Sequence, residues 1–97
     1  MFMTVEEQRR EMMSDVNEYL QGLPLTSRFI MMINLHTIDI TATLNYNVDV
    51  EFEIKPFDEL GHDYWLVDGE ICKGLDKVKA QIAELLLVAA AKALANR

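Results

Sequence analysis

At 97 residues, with 51% apolar and 26% charged residues and a formal net charge of −7, the chain reads as one globular domain over 1–97, too small for two cores and too apolar for disorder. The acidity disfavours nucleic acid or an anionic membrane surface as a direct partner and favours a basic protein surface. A single cysteine, Cys72, rules out an intrachain disulfide scaffold, residues 1–7 lack a signal-peptide pattern, and the longest apolar run, 85–91, is far short of the roughly 20 residues that span a bilayer, so a cytoplasmic setting is expected.

Thr4 followed by Glu7 forms a capping box, and Gly22, Leu23 and Pro24 supply a stop, so residues 5–21 are expected to be helical. Val5, Met12, Met13, Val16, Tyr19 and Leu20 make its apolar stripe, with Glu6, Arg10, Glu11, Asp15 and Glu18 turned to water. Residues 25–35 are apolar at both parities through 29–33, which fits a central strand or a short buried helix; β-propensity favours the strand. Met31 and Met32 are expected as core filler.

From Thr37 to Lys55 every even position, Ile38 to Ile54 and including Tyr46 in the turn, is apolar or aromatic, and acids recur on the odd ones. A period of two is an extended chain with one buried and one wet face. In an antiparallel hairpin facing residues share a face, so keeping parity through the turn demands an odd loop. A three-residue loop at 45–47 with Asn47 left-handed satisfies this and pairs Leu44 with Val48, Ala42 with Val50, Ile40 with Phe52 and Ile38 with Ile54. The wet face then sets Thr43 against Asp49, Thr41 against Glu51 and Asp39 against Glu53. One very long strand through residue 46 is the alternative.

Pro56 closes the second arm, 57–62 read as a loop, and 63–67 as a short strand ending at Asp68 and Gly69. Residues 68–74 fit either a hairpin or the start of the last helix. From about 76 to 96 the chain is helical, with Leu75, Val78, Ile82, Leu85 and Ala89 as a core stripe that Leu86, Leu87, Val88 and Ala90 widen, so burial on more than one side is expected. The fold class is therefore α+β: an N-terminal helix, a three- or four-stranded antiparallel sheet and a long C-terminal helix in two layers.

The wet sheet face carries the main candidate site. Alternate strand residues lie about 6.6–7 Å apart and neighbouring strands about 4.8 Å apart, so Asp49, Glu51 and Glu53 form a ruled line of carboxylates with Asp39 alongside. A regular row of negative charge is also what a nucleic-acid backbone presents. Asp39 opposite Glu53 is a like-charge pair that costs stability, for which folding alone gives no reason. Against this, the outer face of a half-exposed sheet is polar in any protein, and acids can serve there for solubility alone.

Other constellations are thin. His36, His62, Asp63 and Cys72 lack the close ligand spacing of a zinc site, no EF-hand loop occurs, and no metal or cofactor is expected. His62 and Asp63 near Glu59 match a solvated loop better than a general acid and base, Cys72 beside Lys73 reads as a small buried residue, and no nucleophile or phosphate-loop motif occurs, so no catalytic residue is assigned. Tyr64 and Trp65 fit either interface anchors or packing at the sheet edge.

In size, acidity, simple α+β pattern and lack of a catalytic signature, the chain resembles the small inhibitors made by phages and mobile elements, among them anti-CRISPR and other DNA-mimic proteins. The resemblance covers the whole chain, rests on composition and patterning, and assigns no residue a role. It implies an acidic face that occupies the nucleic-acid groove of a host defence or DNA-processing complex. The leading expectation is a non-enzymatic binding protein presenting Asp39, Asp49, Glu51 and Glu53 to such a basic surface. The alternative is an assembly subunit that forms a homodimer through the apolar helix, at residues 82–94.

Overall fold

A computed structural model of the chain describes residues 4–35, 37–45 and 47–96. His36, Tyr46 of the expected turn and the side chain of Val5, which the sequence reading places, lie outside the described residues. The chain runs α1 (Val5–Gln21), β1 (Thr26–Asn34), β2 (Thr37–Leu44), β3 (Val48–Pro56), β4 (Tyr64–Val67), β5 (Glu70–Lys73) and α2 (Gly74–Ala95). The strands form one antiparallel meander in the order β1-β2-β3-β4-β5, with the helices packed together on one face. It is the expected two-layer α+β domain, with five strands rather than three or four.

The additional strand comes from the two segments whose assignment composition leaves open. Residues 26–34 are extended, and 70–73 form the return arm of a hairpin instead of entering α2. Asp68 and Gly69 both adopt positive φ, 52° and 89°, as a two-residue type I′ turn requires. The helix starts only after this hairpin closes, at Gly74, where φ is 80°.

At the head of α1 the Thr4 hydroxyl accepts a hydrogen bond from the Glu7 backbone N–H at 3.1 Å, satisfying one of the donors that a helix N-terminus leaves free. Met12, Val16 and Leu20, four residues apart, are buried, and Met13 and Tyr19 pack against the same core. In α2, Val78, Ile82 and Leu86 take this role. They meet Ile38, Ile40, Ala42 and Leu44 of β2, Phe52 and Ile54 of β3, Trp65 and Val67 of β4, and Cys72 of β5. Trp65 is thus a core residue, while Tyr64 lies under the Lys73 ammonium, 5.7 Å from the ring centre.

Three expectations about burial are corrected. β1 is an edge strand rather than a central one, and its two apolar parities point to opposite faces. Met32 consequently faces solvent, whereas Met31 packs against the core. The middle of α2 is buried on one side only: Leu87 and Val88 are exposed, because no element lies beyond the single helical layer that covers the sheet.

The β2–β3 hairpin adopts the register that parity dictates, from Ile38 opposite Ile54 to Leu44 opposite Val48. Asn47 has φ 60°, and its N–H bonds the Leu44 carbonyl at 3.2 Å, closing the turn. On β1 a bulge at Ser27, which falls between the pairs Thr26–Leu44 and Arg28–Thr43, resets parity so that Phe29 and Met31 face the helices. The Ser27 hydroxyl donates to the Thr43 carbonyl at 2.9 Å and fixes the bulge.

Because Asn47 is left-handed, Asn47→Val is expected to cost about 1–2 kcal/mol in urea unfolding, while Asn47→Gly leaves stability unchanged or slightly higher. Equal losses for the two variants would show that the turn geometry is otherwise.

Candidate acidic face

The helix-free face of the sheet is built by the odd-numbered residues of β2 and β3 and, beyond the Ser27 bulge, the even-numbered residues of β1 from Arg28 onward. Cross-strand rows run Arg28–Thr43–Asp49, Ile30–Thr41–Glu51 and Met32–Asp39–Glu53. All four carboxylates expected in the site, Asp39, Asp49, Glu51 and Glu53, stand together here. Asp49, Glu51 and Glu53 are exposed and Asp39 is half-buried.

Two of the acids are held in place and two are not. Thr43, buried in the sheet, donates its hydroxyl to Asp49 Oδ1 at 2.7 Å and accepts a long contact from Arg28 Nε at 3.5 Å. The Thr37 hydroxyl lies 3.1 Å from both Asp39 Oδ1 and the Asn34 carbonyl and shares its one proton between them, with the Asn34 amide 3.5 Å from Oδ2. Glu51 and Glu53 have no recorded hydrogen bond or ion pair among the described residues. The ion pair recorded there is the exposed Arg10–Glu6 contact on α1, far from this face in the chain. Among the described residues the carboxylate row therefore has no counter-ion in salt-bridge range.

A fifth acid joins the row. The Asp68 N–H donates to the Glu53 carbonyl at 2.8 Å, and Asp68 lines a shallow depression of about 420 Å³ with Asp39, Glu51 and Glu53. Sequence reasoning misses it because a seven-residue connection, 57–63, separates β3 from β4 and leaves their register free. Had Ile54 been set opposite Val67 by matching apolar faces, Asp68 would have followed. The face also has apolar flanks: Ile30 and Met32 on the β1 side, both exposed, and Leu66 beside Ile71 on the β4–β5 side.

The remaining sequence candidates do not converge on this face. His62 and Asp63 lie exposed in the β3–β4 connection, where the Gln8 side-chain amide donates to the His62 carbonyl. Cys72 is buried in the core, and that burial pushes its thiol pKa up, with Glu70 adding to the shift and Lys77 opposing it. A raised pKa makes it a poor nucleophile at neutral pH. Among the described residues no group of three or more His, Cys, Asp or Glu is placed to hold a metal ion. No helix is long and apolar enough to cross a membrane, again among the described residues.

Asp39 and Glu53 oppose each other directly, so Glu53→Lys converts a repulsive cross-strand pair into an attractive one and is expected to raise stability by about 0.5 kcal/mol. Glu51→Lys, which faces Thr41, serves as the control; an equal gain there would mean that net charge, not the pair, sets the effect. Comparison with protein-family models, with curated proteins and with solved structures finds no match for this chain.

Proposed function

We propose that the protein is a non-enzymatic inhibitor that presents its acidic sheet face to a basic, nucleic-acid-binding surface and blocks access of DNA or RNA to it, in the manner of anti-CRISPR and other DNA-mimic proteins. The observation that carries this reading is the unneutralised row itself: Asp39 set against Glu53, with Glu51 and Asp68 beside them and, among the described residues, no cation in salt-bridge range. Unfavourable like-charge neighbours are retained when they serve another state, here a complex in which Lys and Arg side chains of a partner supply the missing charge. The exposed Ile30 and Met32 give the same face an apolar margin, as interfaces commonly have.

The test is retrieval of binding proteins from lysate by the tagged full chain at low and high salt. Proteins recovered at low salt and lost at high salt are expected, and Asp49→Lys/Glu51→Lys/Glu53→Lys recovers none of them while keeping its fold. Retention of the same proteins by the triple variant, with unchanged salt dependence, contradicts the proposal. The recovered partner should also lose its affinity for nucleic acid when the wild-type protein is added.

A second reading, assembly through α2, draws on the exposed Leu87, Val88 and Leu94. Leu87 and Leu94 stand two turns apart on one side of the helix with Ala91 between them. Leu86 is unsuited to test it, since it is fully buried in the core. Leu87→Glu is expected to dissociate an α2-mediated oligomer without loss of stability, and light scattering that finds no such dissociation removes this reading.

A further inference from the structure

We propose that β1 is the pairing edge of a two-fold homodimer, in which two copies join through antiparallel β1 strands into one ten-stranded sheet. The two edges of the meander differ sharply. β5 has four residues, carries Glu70 and Lys73 at its ends, and runs directly into α2. Short length and charge are ways a sheet edge avoids pairing. β1 has nine residues, no proline, and no charge between Phe29 and Ile33. Its side chains are bare as well: Ile30 is 64% and Met32 63% exposed, and Ile33 51%. Among the described residues its outer backbone groups have no strand partner, because β1 pairs there with β2 alone.

The sequence of β1 selects a second copy as the occupant. Facing residues in an antiparallel pair share a face, so a two-fold pairing of β1 with itself must centre on a residue. Centred on Met31, it sets Ile30 against Met32, Phe29 against Ile33 and Met31 against itself, apolar to apolar at every place. A centre on Ile30 would oppose Arg28 to Met32, and one on Met32 would oppose Ile30 to Asn34. The Met31 register also places Arg28 opposite Asn34 of the second copy, whose own side-chain amide lies 3.5 Å from Asp39. Each copy thereby brings its β1 cation to the acidic end of the other's strand.

Charge does not oppose the pairing. Two β1 strands lie between the β2 strands and the Met31 register offsets the two Asp39 rows by two residues, so Asp39 and its counterpart stand about 16 Å apart, beyond the Debye length of about 8 Å at physiological salt. The bulge at Ser27 ends the pairing segment on one side, and the left-handed Leu35, φ 47°, ends it on the other.

Sedimentation equilibrium of the full chain tests the proposal. Wild type is expected as a reversible dimer. Ile30→Lys/Met32→Lys places lysine opposite lysine at two symmetric positions and should raise the dissociation constant by roughly 100-fold or more. Leu87→Glu/Leu94→Glu should leave the dimer intact. Hydrogen exchange on wild type needs no variant: amide protection within residues 28–34 should rise with protein concentration as the dimer forms. A wild type that stays monomeric into the millimolar range, a dimer that survives Ile30→Lys/Met32→Lys, dissociation by Leu87→Glu/Leu94→Glu, or β1 protection independent of concentration would each overturn it.

Discussion

The antiparallel pairing of β2 with β3 is the constraint on which both faces of the molecule depend. Its register sends Ile38, Ile40, Ala42 and Leu44 together with Phe52 and Ile54 into the core, and in the same act sends Asp39, Thr41 and Thr43 with Asp49, Glu51 and Glu53 out of it. A slip of one residue would exchange the two sets, burying carboxylates and exposing the core. The left-handed Asn47 turn and the weight of apolar burial on one side hold that register against the repulsion it creates on the other.

The helices matter to the acidic face by their absence from it. α1 packs over β1 and β3, and α2 over β3, β4 and β5, all on one side, so nothing among the described residues covers the other. The face is neither a cleft nor a catalytic pocket. It is a broad surface whose central rows are negative, whose margins at Ile30, Met32, Leu66 and Ile71 are apolar, and whose aspartates Asp39 and Asp49 are oriented by threonine hydroxyls. Groups pre-set in this way lose less freedom on binding than the free side chains Glu51 and Glu53, which are able to adapt to a partner's cations.

Legibility in the sequence follows the strength of the local pattern. α1 is plain from Thr4, Glu7 and the Gly22 stop, and β2 and β3 are plain from strict alternation; even the pair Asp39–Glu53 follows from parity and an odd loop. β1 is legible as a strand but not as an edge, because a bulge at Ser27 and apolar residues on both faces imitate a central strand. That one ambiguity conceals both the exposure of Met32 and the apolar margin of the site. β5 is hidden because Asp68 and Gly69 serve equally well as a type I′ turn or as a lead into a helix, and only pairing with β4 decides between them. Asp68 joins the acidic row through a long-range register, β3 with β4, that no local pattern encodes. The exposure of Leu87 and Val88 likewise depends on how many layers the fold has, a tertiary property.

The claim that this surface, rather than acidity in general, is the recognition element is open to direct measurement by titrating the isotope-labelled protein with a short arginine-rich peptide and following backbone amide shifts. Selective recognition predicts shifts concentrated at Asp39, Asp49, Glu51, Glu53 and Asp68 and the threonines between them, fading as salt is raised. Shifts spread equally over the acids of α1 and of the β3–β4 connection, such as Glu6, Glu11, Asp58 and Glu59, would contradict it.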